Sequence, residues 1–425
     1  MTLDIDFVRA QFPAFAAPAL QGQAFFENAG GTYPCRPVIE RLTRFYHERK
    51  VQPYAPYEAA RLAGEEMDEA RARLARMLGV ETDELSFGPS TTQNTYVLAQ
   101  AFAEMLAPGD AIIVTDQDHE ANSGPWRRLA ARGITVREWK IDPETGRLPI
   151  DGLARLLDHK VRLVCFPHAS NVVADINPVR EIAQLARQAG AITCVDGVSY
   201  APHGFPDVAA LGPDIYLFSS YKTYGPHQGI MTIRRDVAGR LPNQGHYFNA
   251  GTLYKRFTPA GPDHAQVAAC AGIADYSDDV YAHHYGAAGA PARPIGASAG
   301  AQGCFAEQAG MRARAVHDLM RGHETTLLQP LLDYLATKNA ARVLGPRDAA
   351  ARMPTVAIAL DEPGEAVAAR LAARGIMCGG GDFYAVRCLA ALGVDPAKGV
   401  LRASFVHYTS REEVDRLIEA LEAVF

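Results

Sequence analysis

The sequence predicts an α/β fold: a mostly parallel sheet between helices, followed by a smaller α+β domain at the C-terminal end. Three observations predict it. Short apolar segments alternate with helical patterns between residues 85 and 233, and strands of that kind belong to parallel sheets covered on both faces. Polar residues recur at or just after the strand ends, at His119, Asn171, Asp196 and Lys222, where open α/β sheets bind their ligands. After residue 303 the pattern changes to a long helix with shorter strands and helices behind it.

The elements follow in order. Residues 1–25 are mixed, and Pro13 and Pro18 limit any helix there. The run Ala24-Phe-Phe-Glu-Asn-Ala-Gly-Gly31 is a short strand entering a turn, either an ordinary loop or one that lets backbone approach a ligand. Residues 57–79 are helical, with Leu62, Met67, Ala70, Leu74, Met77 and Leu78 on one face. A strand at 85–87, the turn Gly88-Pro-Ser-Thr-Thr-Gln-Asn94 and a helix at 95–106 make an anion site, although Ser90 or Thr91 serves equally as a plain N-cap. Strands follow at 111–115, 134–139, 161–166, 192–195, 215–218 and 229–233, with helices at 151–157 and 178–189. The Gly/Ala/Pro-rich segment 284–303 reads as a flexible loop or linker, or as a lid. A capping box, Ser410 with Glu413, opens the last helix. The expected division is a large domain over 20–283, the loop, and a small domain over 304–425 joined by residues 1–19.

Composition excludes several functions. The 425 residues exceed a single core. A net charge of -6 argues against nucleic-acid binding and gives no reason to expect a membrane partner. The N-terminus lacks the build of a signal peptide. Seven scattered cysteines without a CxxC suggest neither a disulfide framework nor a metal site, and a cytoplasmic setting fits.

Lys222 is the pivot, in Phe218-Ser-Ser-Tyr-Lys-Thr-Tyr-Gly-Pro226. A lysine at the mouth of a buried strand is partly desolvated. Its pKa falls, and it becomes a Schiff-base nucleophile. A lysine after a strand is more often a solvated surface residue, so the weight comes from its companions. The order of Thr-Thr turn, His119, Ser-Asn171, Asp196 and Ser-x-x-Lys222-x-x-Gly-Pro resembles the class V aminotransferase fold, in the cysteine desulfurase-like branch of fold-type I pyridoxal 5′-phosphate (PLP) enzymes. The likeness runs from about Phe25 to the C-terminus.

The resemblance implies roles. Lys222 would form the internal aldimine and move the Cα proton, Asp196 would pair with the pyridinium nitrogen, and His119 would stack on the ring. Thr91, Thr92 and Ser219 would hold the phosphate. Asn171, Ser199 and Tyr221 would lie near the cofactor, and Asn28 and Tyr384 near the substrate. Arg402 would bind the substrate carboxylate, with a structural salt bridge as its other reading. Homodimerisation is also implied. Departures from the family pattern are informative. Tyr384 falls at the position of the sulfur-attacking cysteine, and Gly379 falls where an arginine is usual. Cys378 and Cys388 lie outside the motif, Ser199 and Tyr221 replace a usual Gln or His and a usual His, and Gly261 replaces a threonine that reaches the partner subunit. The Gly379-Gly-Gly381 run suggests an open, flexible loop. The whole resembles a divergent subgroup, like the decarboxylative aldolase of ustiloxin biosynthesis. It implies an L-amino acid bound as an external aldimine that loses a group from Cβ, by C–S cleavage or by aspartate β-decarboxylation with aldol addition to an aldehyde. An epimerase or transaminase uses the same residues, and a silent PLP-binding protein is the non-enzymatic reading.

Overall fold

A computed structural model describes residues 1–286 and 299–425, with side chains placed outside 299–307. The strands in chain order are β1 (Ala24–Phe25), β2 (Leu85–Gly88), β3 (Ala111–Thr115), β4 (Thr135–Trp139), β5 (Val161–Pro167), β6 (Ile192–Asp196) and β7 (Ile215–Ser219). They continue with β8 (Gly229–Ile233), β9 (Arg342–Val343), β10 (Thr355–Ala359), β11 (Ile376–Met377), β12 (Gly379–Gly381) and β13 (Val400–Ser404).

The main sheet has the order β2-β8-β7-β6-β5-β3-β4. Its members from β7 to β4 are parallel, and β8 runs antiparallel to both its neighbours. Every residue of β3, β6, β7 and β8 is buried, as their largely apolar sequences require of strands covered on both faces. The expected fold class is therefore present. A second, antiparallel sheet has the order β12-β13-β10-β9, and β1 pairs in parallel with β11.

Packing crosses the expected domain limits. Ala24 and Phe26 share a hydrophobic cluster with Leu401, Phe405 and Leu417. Residues 1–19 face both ways: Val8 and Phe12 join the main core, while Arg9 binds Glu413 at 2.7 Å. The helix Ala299–Ala336 also serves both, through Val316 and Met320 in the main core and Leu328 and Leu331 in the other. The expected loop 284–303 lies mostly outside the described residues, and its two described ends are helical.

One expectation fails for a clear reason. Gly379–Gly381 is no open loop but β12, paired with β13 in the register Gly379↔Arg402 and Gly381↔Val400. A Cβ on Gly380 would overlap the backbone of Gly364 and Glu365, and one on Gly379 would lie 2.5 Å from Glu27 Oε2. Close approach, rather than flexibility, requires these glycines.

Candidate active site

A cleft of about 820 Å³ opens where β5 and β7 of the main sheet meet β12 and β13, and its lining includes Glu27, Thr92, His119, Asn171, Lys222 and Arg402. Lys222 closes a single 3₁₀ turn, Ser220–Lys222, directly after β7. Burial, reinforced by the Arg402 charge, pulls its ammonium down to about 8, while Asp196 and Glu27 act in the other direction. Asp196 ends β6 and is buried; its Oδ1 accepts the Val198 N–H at 2.8 Å. Burial pushes this carboxyl up to about 6, against that hydrogen bond and the Lys222 charge. His119 accepts the Ala121 N–H on Nδ1 at 3.0 Å. Burial, then the charges of Lys222 and Arg402, hold it down at about 4, so the ring is neutral at physiological pH.

The helix Thr91–Met105 begins four residues earlier than the sequence suggests, because Ser90 caps it by accepting the Gln93 N–H. The N–H groups of Thr91 and Thr92 have no acceptor within the helix and favour an anion. Thr91 Oγ1 and Ser219 Oγ lie 2.7 Å apart and bond to each other, so one of the two hydroxyl protons stays free to donate outwards. Gly229 permits this closeness: a Cβ there would lie 2.6 Å from Thr91 N.

The opposite wall comes from β13 and the turn after β12. Arg402 binds Glu27 Oε1 through Nη2 at 2.6 Å, donates from Nη1 to the Asn171 carbonyl at 3.3 Å, and lies 3.7 Å over the Phe383 ring. Asn171 Nδ2 donates to the Phe383 carbonyl at 2.9 Å. Phe383 and Tyr384 both adopt left-handed backbone, with φ of 50° and 55°. Tyr384 is exposed, its carbonyl accepts the Glu120 N–H at 2.8 Å, and its ring lies 5.3 Å from that of His119. Tyr221 lines the cleft and stacks on His227 at 4.6 Å.

Of the expected residues, Thr91, Asp196 and Ser219 are buried and do not line the cleft, and neither do Asn28 and Ser199. Asn28 is turned inward: its Nδ2 donates to the Phe25 and Ser404 carbonyls, and its Oδ1 accepts from Tyr408. Ser199 is half-buried and does not line the cleft. Glu27, Phe383 and Arg387 were missed. Strand alternation carried the signal for Glu27, since Phe26 and Asn28 are buried on one side and Glu27 faces the other. Neither thiol near the wall reaches the cleft: burial, aided by Glu27, pushes Cys378 up to about 12, and burial, aided by Asp116 and Asp118, does the same to Cys388.

The family model of class V aminotransferases matches residues 24–258 and 272–417. The chain belongs to the class V aminotransferase family. Enzymes of this family are PLP-dependent. Among relatives of this class V member, an aminotransferase-like protein FGM3 of Gibberella zeae is 32% identical over 100% of this chain and 99% of its own. A cysteine desulfurase of Serratia proteamaculans is 29% identical over 100% and 99%. Among solved structures, a cysteine desulfurase of Thermococcus onnurineus superposes with a TM-score of 0.82 at 22% identity, covering 100% of this chain and 98% of that one; this shows the shared fold. The residues present fit PLP. The helix start with Thr92 and the Thr91–Ser219 pair suits a phosphate, the buried Asp196 suits a protonated ring nitrogen, neutral His119 suits a ring face, and Lys222 supplies an amine.

Proposed function

We propose that this protein is a PLP-dependent lyase that removes the Cα proton of an L-amino acid and expels a group from Cβ without an enzyme persulfide. The expelled group is a sulfur leaving group or the carbon dioxide of an aspartate-like side chain, the latter followed by carbon–carbon bond formation with an aldehyde. One observation carries the reading: the cleft joins a lysine amine of pKa about 8 to a buried arginine, and no thiol of the described residues lines it. Bound PLP supplies an electron sink for negative charge at Cα. Lys222 Nζ has a large neutral fraction near neutral pH and moves the Cα proton. Asp196 would hold the ring nitrogen's proton, neutral His119 would lie against the ring, and Arg402 would orient the substrate carboxylate.

The test is incubation with L-aspartate, cysteine sulfinate and cysteine, with and without an aldehyde, followed by product mass spectrometry. Alanine, pyruvate or an aldehyde adduct is expected. Racemised or transaminated substrate alone favours the epimerase or transaminase reading, and no turnover of any amino acid favours a silent binder. The reading includes a homodimer, supported by the exposed aromatic residues Tyr247 and Phe248; light scattering at twice the chain mass tests it. The cysteines free among the described residues support a reducing, cytoplasmic setting. No helix among those residues is long and apolar enough to cross a membrane.

A further inference from the structure

Glu27 stands on Arg402 where a ligand carboxylate is expected. The contact is one-sided. Oε1 meets Nη2 at 2.6 Å, yet Glu27 Oε2 and Arg402 Nε are both buried without a hydrogen-bond partner. A carboxylate laid across the Nε–Nη2 edge of a guanidinium satisfies both donors at once. Glu27 satisfies one of them and leaves its own second oxygen bare, so Arg402 gains a second acceptor and Glu27 gains hydration if a ligand carboxylate takes Glu27's place.

The two partners differ in freedom. The Arg402 side chain is 4% exposed and is pinned by the Asn171 carbonyl and the Phe383 ring. The Glu27 side chain is 29% exposed and lines the cleft, so it has water to move into while the arginine has none. Its present place also depends on a missing side chain: a Cβ on Gly379 would lie 2.5 Å from Oε2 and 2.9 Å from Cδ.

We propose that Glu27 is a specificity-determining placeholder: it holds Arg402 in the ligand-free cleft and is displaced when a ligand carboxylate takes the Nε–Nη2 edge. This rests on the reading of Arg402 as the carboxylate-binding residue. The displacement makes every carboxylate compete with Glu27, so weak monocarboxylates are rejected and a substrate must add binding elsewhere in the cleft.

The experiment is calorimetric titration of the PLP-loaded protein with propionate, which has no amine and undergoes no turnover. Glu27→Gln keeps the shape but loses the charge, and its propionate Kd is expected to fall about 5- to 10-fold. Gly379→Ala crowds Oε2 away from Arg402 and is expected to shift Kd in the same direction, which keeps the test open if Glu27→Gln fails to fold. Arg402→Gln is expected to weaken binding at least about 10-fold. Unchanged or weaker binding in both Glu27→Gln and Gly379→Ala, with the loss in Arg402→Gln intact, overturns the placeholder and leaves the Arg402 reading standing. Propionate binding indifferent to Arg402→Gln removes both.

Discussion

The floor of the cleft and its outer wall are built from the same chain but to different standards. On the floor, Asp196 is matched with the Val198 N–H, Thr91 with Ser219, and the Ser90 cap with Gln93, while Asn94 Nδ2 is buried without a partner and Tyr224 is left-handed with φ of 64°. On the wall, Glu27 Oε2, Asn171 Oδ1 and Arg402 Nε are buried and unmatched, and Phe383 and Tyr384 hold left-handed backbone that costs non-glycine residues free energy. The proposed function gives the floor to the cofactor and proton transfer, and the wall to substrate choice.

If this division holds, floor variants lower kcat and wall variants raise KM. Lys222→Ala should lower kcat by about 10⁴-fold, the upper range for a lost proton-transfer group, with the protein still folded by circular dichroism. The rate at which cofactor-free protein takes up PLP should depend on pH with the same residue. The attacking amine must be neutral, and Lys222 loses its proton near 8, so stopped-flow rates should climb about tenfold per pH unit below 8 and flatten above it. Arg402→Lys loses the planar fork, and steady-state kinetics should show KM about 30-fold higher with a smaller change in kcat. Phe383→Ala removes the ring beneath the guanidinium and should raise KM about 3- to 10-fold. The smallest effect belongs to Cys378→Ser and Cys388→Ser, which should change sulfide or alanine release from cysteine less than about 2-fold. Loss of turnover in either would restore an enzyme thiol to the wall and erase the distinction.

The floor was legible in the sequence because it is local: an apolar strand followed by a polar residue announces a strand end, and β3, β5, β6 and β7 lie within a residue or two of their expected positions. The wall was legible only in part. Its residues come from four distant segments, around Glu27, Asn171, Gly379–Tyr384 and Arg402, and the meeting of the last two depends on β12 pairing with β13. Glycines give no strand signal, so Gly379–Gly381 looked like open loop when backbone contact was the reason for them. Asn28 came from likeness to a family position, whereas strand alternation turns Glu27, not Asn28, toward the cleft. Ser199 was placed by likeness to a family position, and the turn after Asp196 leaves it off the lining.

The central claim is that Lys222 carries the cofactor amine of this site. Borohydride treatment of the PLP-loaded protein, followed by proteolysis and peptide mass mapping, measures that directly. The expected result is a single reduced adduct on the peptide containing Lys222, absent from Lys222→Ala together with the visible absorption band. An adduct on another lysine, or a band that survives in Lys222→Ala, would contradict the account.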